Sequence, residues 1–390
     1  MRDTTRRQFL RRSLGLMGTV WAGSLVEAKL LEVASPASAT QGGEFLGTVP
    51  FIGEGSRAVG RLTGSGLRGR LALDLSRLDA ECLVTPTEKF FVRTRAPEGV
   101  SNRVPWTIGT EGLVRESMVL PLERLLAQAR PMGVHLVECS GNNPYRRFGL
   151  MSSARWSGIP IKDLLDALPI LPEATRVLFI GFDEHSGPRG SSGAGASWIF
   201  TFEELERAEA FLATRMNGAP LTPDHGYPIR LLMPGWYGCV SIKWLEEIRF
   251  VGDSAPATSQ MQEFAGRTHQ QGVPGLARDY APATVDFAAM PVRVEKWTID
   301  GELRYRVVGI AWGGARTADR LLIRFNSRES LVAVEDFDHR TTTSWNLWSH
   351  TWRPAEPGRY RIELEVADPT IRTHRLDRGY YVRTVDIDEV

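Results

Sequence analysis

Cysteine is scarce in this chain: three residues in 390, at 82, 139 and 239, too few for a disulfide framework and odd in number, so at least one thiol stays unpaired. Histidine is almost as thin, with seven residues scattered at no metal-ligand spacing. The sequence contains no HExxH, CxxC or CxxCH, no GxSxG elbow, no Walker A loop and no convincing dinucleotide fingerprint. The usual zinc, haem, nucleophile-elbow and nucleotide readings are thereby excluded. Charge of one sign is also missing, since 47 basic residues meet 46 acidic ones for a net of +1. Nothing in that balance argues for nucleic acid or a polyanionic partner. Beyond the first forty residues no apolar run reaches the roughly 20 residues of a spanning helix, so no stable membrane anchor is expected.

What is present begins with Thr5-Arg6-Arg7-Gln8-Phe9-Leu10, a twin-arginine pattern. A weakly apolar stretch from Leu14 to Val26 follows, and Ala37-Ser38-Ala39 offers a small-residue cleavage site. Together they predict a twin-arginine signal peptide over residues 1–39 and a periplasmic location. That route carries folded proteins, often after cofactor insertion, so the leader itself hints at a cofactor. Without it the chain has 41 basic and 43 acidic residues, a formal charge of −2.

The remaining length suits two bodies. Residues 40–75, rich in glycine, read as an extended surface arm. Residues 76–254 read as mixed α and β, with strands over 88–93, 106–108, 134–137, 176–182, 228–233 and 241–251. Helices are expected over 120–129, 161–168 and 202–215. After a linker near 254–258, residues 255–390 alternate short strands with turns: 292–299, 305–312, 320–325, 331–337, 345–352 and 359–366. That spacing predicts a β-sandwich. The fold class expected is therefore α+β, a mixed domain followed by an all-β one. The glycine-rich loop 187–195 could cradle a phosphate or be a flexible surface loop, and the absence of a strand-loop-helix frame favours the loop.

Chemistry concentrates in the stretch 133–158. Val134-His135-Leu136-Val137 reads as a buried strand that breaks at Glu138-Cys139-Ser140-Gly141-Asn142, presenting a cysteine at the end of a rigid element. Tyr145, Arg146, Arg147 and Arg155 follow, and nearby cations stabilise a thiolate. One thiolate alone makes a poor zinc site, but it would serve a metal whose other ligands come from a cofactor. His135, inside the apolar run, reads as a core residue. A second stretch, 224–245, combines His225, Arg230 and Lys243 with glycine turns. Such groups could hold a phosphate and a polar heterocycle, or could be solvated charges on a sheet edge. Cys82 and Cys239 either pair or are simply buried.

Residues 85–251 resemble the molybdenum-cofactor domain of the sulfite oxidase family. The resemblance rests on Phe90-Phe91-Val92-Arg93, Cys139-Ser140-Gly141-Asn142, Ser153-Ala154-Arg155-Trp156-Ser157-Gly158, Met216-Asn217-Gly218, Asp224-His225-Gly226-Tyr227-Pro228-Ile229-Arg230 and Pro234-Gly235 with Lys243-Trp244-Leu245. Residues 255–390 resemble, more weakly, the family's immunoglobulin-like dimerisation domain through Gly309-Ile310-Ala311-Trp312. The resemblance implies one molybdenum and one molybdopterin per chain, with Cys139 as the thiolate metal ligand. It implies a cofactor cradle of Phe91, Thr94, Asp183, His225, Arg230, Ser241, Ile242 and Lys243. It places Arg93, Arg146 and Arg147 with Cys139 at the reacting centre, facing a small anionic or polar substrate. Where the family commonly has Asn-His after its arginine, this chain has Thr94-Arg95, and Tyr280 is a candidate for the family's active-site tyrosine. The activity implied is oxygen-atom transfer at molybdenum, oxidation of sulfite or a related sulfur compound, with electrons passed to a separate acceptor such as a cytochrome c. A homodimer through the C-terminal domain is implied as well. The rivals are a sulfoxide-type reductase of the same fold and a non-catalytic periplasmic binding or assembly module.

Overall fold

Arg176–Gly181, RVLFIG, alternates half-buried and buried positions, so Val177 and Phe179 turn to one side and pack with Ile108 and Ile248 of the neighbouring strands. This period-two pattern repeats through a molecule built mostly of strands, with a few short helices. The computed structural model describes residues 43–79, 83–102, 104–183 and 196–390, all within the unit Ser38–Val390. The expected signal peptide, Cys82 and the loop 187–195 lie outside the described residues.

Two sheets frame the first body. One runs Arg230–Leu232, Phe211–Met216, Met151–Pro160, Arg130–Glu138, all antiparallel, with Ala219–Pro220 paired to Phe211–Met216. The other runs Met118–Pro121, Thr107–Gly112, Leu245–Val251, Arg176–Gly181, Ser197–Thr201, with a single parallel pairing between Leu245–Val251 and Thr107–Gly112. Between them lies one core, to which the short helices Leu122–Leu126, Ile161–Asp166, Phe202–Arg207 and Ser259–Phe264 contribute Leu122, Ile161, Leu205 and Met261.

Two antiparallel sheets make up the C-terminal part. The first orders Gly43–Val49, Ala288–Ile299, Glu302–Trp312, Asn346–Trp352 and Asp336–Phe337; the second orders Val332–Ala333, Leu321–Phe325, Gly358–Val366 and Arg383–Ile387. Val294, Val307 and Trp348 from one meet Ile323, Ile362 and Val385 from the other in a shared core. Gly309 is required there, because a Cβ would lie 2.1 Å from the Trp348 ring. A further core, including Phe148, Met151 and Tyr237 with Met290, Trp312, Trp345 and Tyr381, joins the two pairs of sheets.

Several expected elements differ. The predicted helix 202–215 stops at Arg207: a Thr201–Glu204 capping box starts it, Glu209 turns at φ 49, and Phe211–Met216 is a central strand. Pairing with Ile159 and Leu231 outweighs the helix propensity of Leu212 and Ala213. The predicted strand 88–93 is a 3-10 turn, Thr87–Lys89, followed by extended chain in which Val92 bridges Leu71. The predicted strand 241–251 begins only at Leu245, since Trp244 sits at φ 51. Residues 331–337 divide into two short strands in different sheets. The segment 40–75 contains the strand Gly43–Val49, which pairs along Ala288–Ile299.

Candidate cofactor and substrate site

Cys139 follows the last residue of Arg130–Glu138, where the chain leaves the sheet edge. Its N–H donates to Leu150 O at 2.9 Å, and its O accepts from Asn142 N at 2.9 Å. Gly141 N–H donates to its Sγ at 3.4 Å. A tight turn thus fixes the direction of the sulfur. Behind it, Glu138 is fully buried and heavily bonded. It pairs with Arg375, accepts from Tyr381 Oη at 2.9 Å and from Trp312 Nε1 at 2.9 Å. Burial opposes the Arg375 charge, but Glu138 more than compensates and its pKa stands above the usual arginine value. Arg375 also donates to Ser140 O at 3.2 Å, and Tyr380 Oη donates to Asn142 O. The turn holding the sulfur is therefore clamped by residues more than 230 positions downstream.

Cys139 opens into an inner cavity of about 110 Å3. Of the expected cradle, Phe91, Thr94, Asp183, His225, Arg230, Ser241 and Lys243 line this cavity, as does Arg93. Ile242 does not; its side chain is fully buried in the core and its O accepts from Leu231 N at 2.8 Å. Arg230, 5% exposed, donates to His225 O at 3.1 Å and Ser241 O at 2.9 Å, leaving Nε without a partner among the described residues. Lys243 donates to Thr94 O and to Asp224 O, the latter at 3.0 Å, and His225 Nε2 lies 3.0 Å from Thr87 O. Gly226, at φ 104, lets these groups converge: a Cβ there would stand 3.1 Å from Arg230 and 3.2 Å from Lys243.

Burial shapes the charges of this group. It holds His225 down at about 4, a neutral imidazole, and lowers Arg230 to about 10. It pulls Lys243 down, with Arg230 adding to the effect, and pushes Asp183 up. Buried cations with a donor unpaired are what an oxyanion offsets. Phe90, Phe91 and Trp244 give the cavity flat apolar walls, and Asp183 offers an acceptor to a polar heterocycle. A phosphorylated pterin with a sulfur-ligated metal fits the residues present. Arg95, the departure from the resembled pattern, pairs with Asp224 at 3.0 Å and so braces the same turn.

Arg93 also lines a second, outer basin of about 620 Å3, where Arg146 is found. Arg93 Nη1 is buried without a partner among the described residues. Arg147 reaches neither cavity; it sits at φ 50 and pairs with Glu54 at 3.7 Å. Tyr280 also stays outside both, its buried hydroxyl unpartnered and its ring edge-on to Trp198. Cys239 is a free thiol in the inner cavity wall. His135, with Nε2 at 2.7 Å from Met132 O, is a core residue whose pKa burial lowers. Reading the sequence missed Glu138, Arg375 and Tyr380, although the density of Arg and Tyr over residues 372–383 was a usable signal for the last two.

Comparison with known proteins follows the same outline. The oxidoreductase molybdopterin binding domain matches residues 96–259. The mitochondrial sulfite oxidase of Drosophila melanogaster is 27% identical over 325 residues, covering 74% of this chain and 54% of that protein. That of Rattus norvegicus is 28% identical over 319 residues, covering 74% and 56%. The NADH nitrate reductase of Spinacia oleracea is 30% identical over 191 residues, covering 45% and 20%. The chain thus spans about half the length of the sulfite oxidases it matches, and less of the nitrate reductase. Among solved structures, the sulfane dehydrogenase SoxCD from Paracoccus pantotrophus shares the fold, with a TM-score of 0.62 at 18% identity, over 86% of this chain and 90% of that one.

Proposed function

Because this chain belongs to the sulfite oxidase family of molybdopterin-dependent oxidoreductases, we propose that it oxidises sulfite or a related small sulfur anion by oxygen-atom transfer and passes the electrons to a separate acceptor such as a cytochrome c. One observation carries the reading: a buried thiol, Cys139, shares its cavity with His225, Arg230 and Lys243, while an unpartnered guanidinium, Arg93, spans from that cavity to the open basin. Cofactor, ligand and substrate entrance are then aligned.

In this reading Cys139 is the thiolate ligand, and Arg230, Lys243 and His225 hold the cofactor's phosphate end. Bound molybdenum supplies two-electron chemistry by which an oxygen atom passes to or from a sulfur centre. Arg93 and Arg146 draw the anion inward and orient it, their planar forks matching its oxygens. The apolar walls of Phe90, Phe91 and Trp244 keep bulk water from the cofactor. Sulfite oxidation takes one oxygen from water and releases two protons and two electrons, which must leave through the acceptor. Export by the twin-arginine route belongs to the same proposal, supported by the leader and by a site assembled only in the folded chain. So does an immunoglobulin-like C-terminal sandwich that forms a homodimer.

Metal analysis of purified protein should find about one molybdenum per chain, with sulfur ligation in X-ray absorption. Cys139→Ser should keep its fold and lose at least about a thousandfold in turnover with an artificial acceptor. Turnover that survives this change removes the ligand assignment; activity with sulfoxides and a reductant but none with sulfite reverses the direction.

A further inference from the structure

The outer basin holds more positive charge than a small anion needs. Arg57, Arg93, Arg146, Arg267 and Arg378 all line it, none is paired with a carboxylate among the described residues, and no described lining residue is acidic. Arg70 and Arg375 line it too, but their donors are engaged by backbone carbonyls and by Glu138. In the unpaired set Arg93 and Arg146 are half-buried, whereas Arg57, Arg267 and Arg378 are exposed. Arg93 is partly buried at the inner cavity. Arg267 lies over Gly141: its Nη1 and the Cys139 Sγ are each 3.8 Å from the position a Cβ on Gly141 would take. Arg57, stacked on Tyr145, and Arg378 stand exposed at the rim. Like charges crowd one another here. Arg146 is lowered first by burial and then by Arg57 and Arg93. Two or three guanidinium donors saturate one sulfite, and Arg93, Arg146 and Arg267 provide them. Arg57 and Arg378 are left over.

We propose that the basin receives the far end of an elongated substrate, an organic or inorganic sulfur compound whose reacting sulfur enters past Arg93 while a second anionic group is held by Arg57 and Arg378. This deepens the proposed function and rests on it for the identity of the reacting atom. A basin that meets the thiol's cavity only at Arg93 suits a small dianion better than the surface of an acidic protein. Isothermal titration of the purified cofactor-loaded protein with methanesulfonate and with propane-1,3-disulfonate tests it without requiring turnover.

The disulfonate should bind about tenfold tighter or more, the gain expected of one charge-assisted contact. Arg57→Gln and Arg378→Gln should each lose most of that gain and leave methanesulfonate unchanged, and Arg57→Lys should restore part of it. Equal affinity for the two sulfonates, or equal losses for both in the variants, overturns the proposal. Tighter binding of a hexaglutamate peptide than of the disulfonate, lost in the same variants, assigns the basin to an acidic protein partner and overturns it as well. A disulfonate preference in a protein that turns over neither sulfite nor sulfoxides would leave the basin standing and fell the functional reading alone.

Discussion

His225 and His269 are both held near 4, each chiefly by desolvation. An unfolded imidazole takes up its proton near 6.5, so between about 6.5 and 4 the unfolded chain binds protons that the native one refuses. Stability is therefore intact above that window and is lost as pH falls through it. His225, 5% exposed, accounts for up to roughly 3 kcal/mol. Melting temperatures of cofactor-free protein should decline steadily from pH 7 to pH 4.5, and His225→Gln should flatten the slope; an unchanged slope would mean that the imidazole is not held neutral. At this scale the sequence was informative about the inner cavity. Cys139, His225, Arg230 and Lys243 stand in short motifs whose local geometry carries them to one cavity. Arg147 shows where such reasoning stops: it is one position from Arg146, but at φ 50 its side chain leaves the basin for Glu54. Adjacent residues diverge wherever the backbone enters the left-handed region.

Among the elements, the strand Arg130–Glu138 depends on a tie that no local pattern announces. Removing one side of the buried Glu138–Arg375 pair should cost about 3–5 kcal/mol, because the remaining charge stays buried with only neutral partners. Urea titrations of Glu138→Gln and Arg375→Met should show such losses, and the double variant should lose less than their sum. Additive losses would mean that the two side chains act independently. The errors in reading elements share one cause. The segment Phe211–Met216 and the extended chain near Val92 take their conformation from partners far along the sequence, whereas the helix Phe202–Arg207 is announced by its own capping box. Local chemistry predicts helix starts; strands surrounded on both sides are chosen by their neighbours.

For the molecule as a whole, Gly43–Val49 covers the edge of Ala288–Ile299 and leaves Phe45 and Leu46 partly exposed. Deleting residues 43–49 should lower the melting temperature by several degrees and bare a long strand edge, which promotes self-association. Sedimentation velocity should then show larger species than in the intact protein; an unchanged profile would mean that the strand is dispensable. A change from one pair of sheets to another could be inferred from the change in composition near residue 254. The joining core of Phe148, Tyr237, Trp312 and Tyr381 could not, since each of its residues looks like an ordinary hydrophobe in its own segment.

The tie between Glu138 and Arg375 spans 237 positions. On the ribosome, a nascent chain carrying everything up to the sandwich would still lack the guanidinium that neutralises this carboxylate. The turn that aims the sulfur cannot settle until translation has passed that codon. With Cys139 as the proposed ligand, metal insertion awaits a finished domain, and a premature stop upstream of the arginine should yield a polypeptide unable to retain molybdenum, even with every residue of the inner cavity already synthesised.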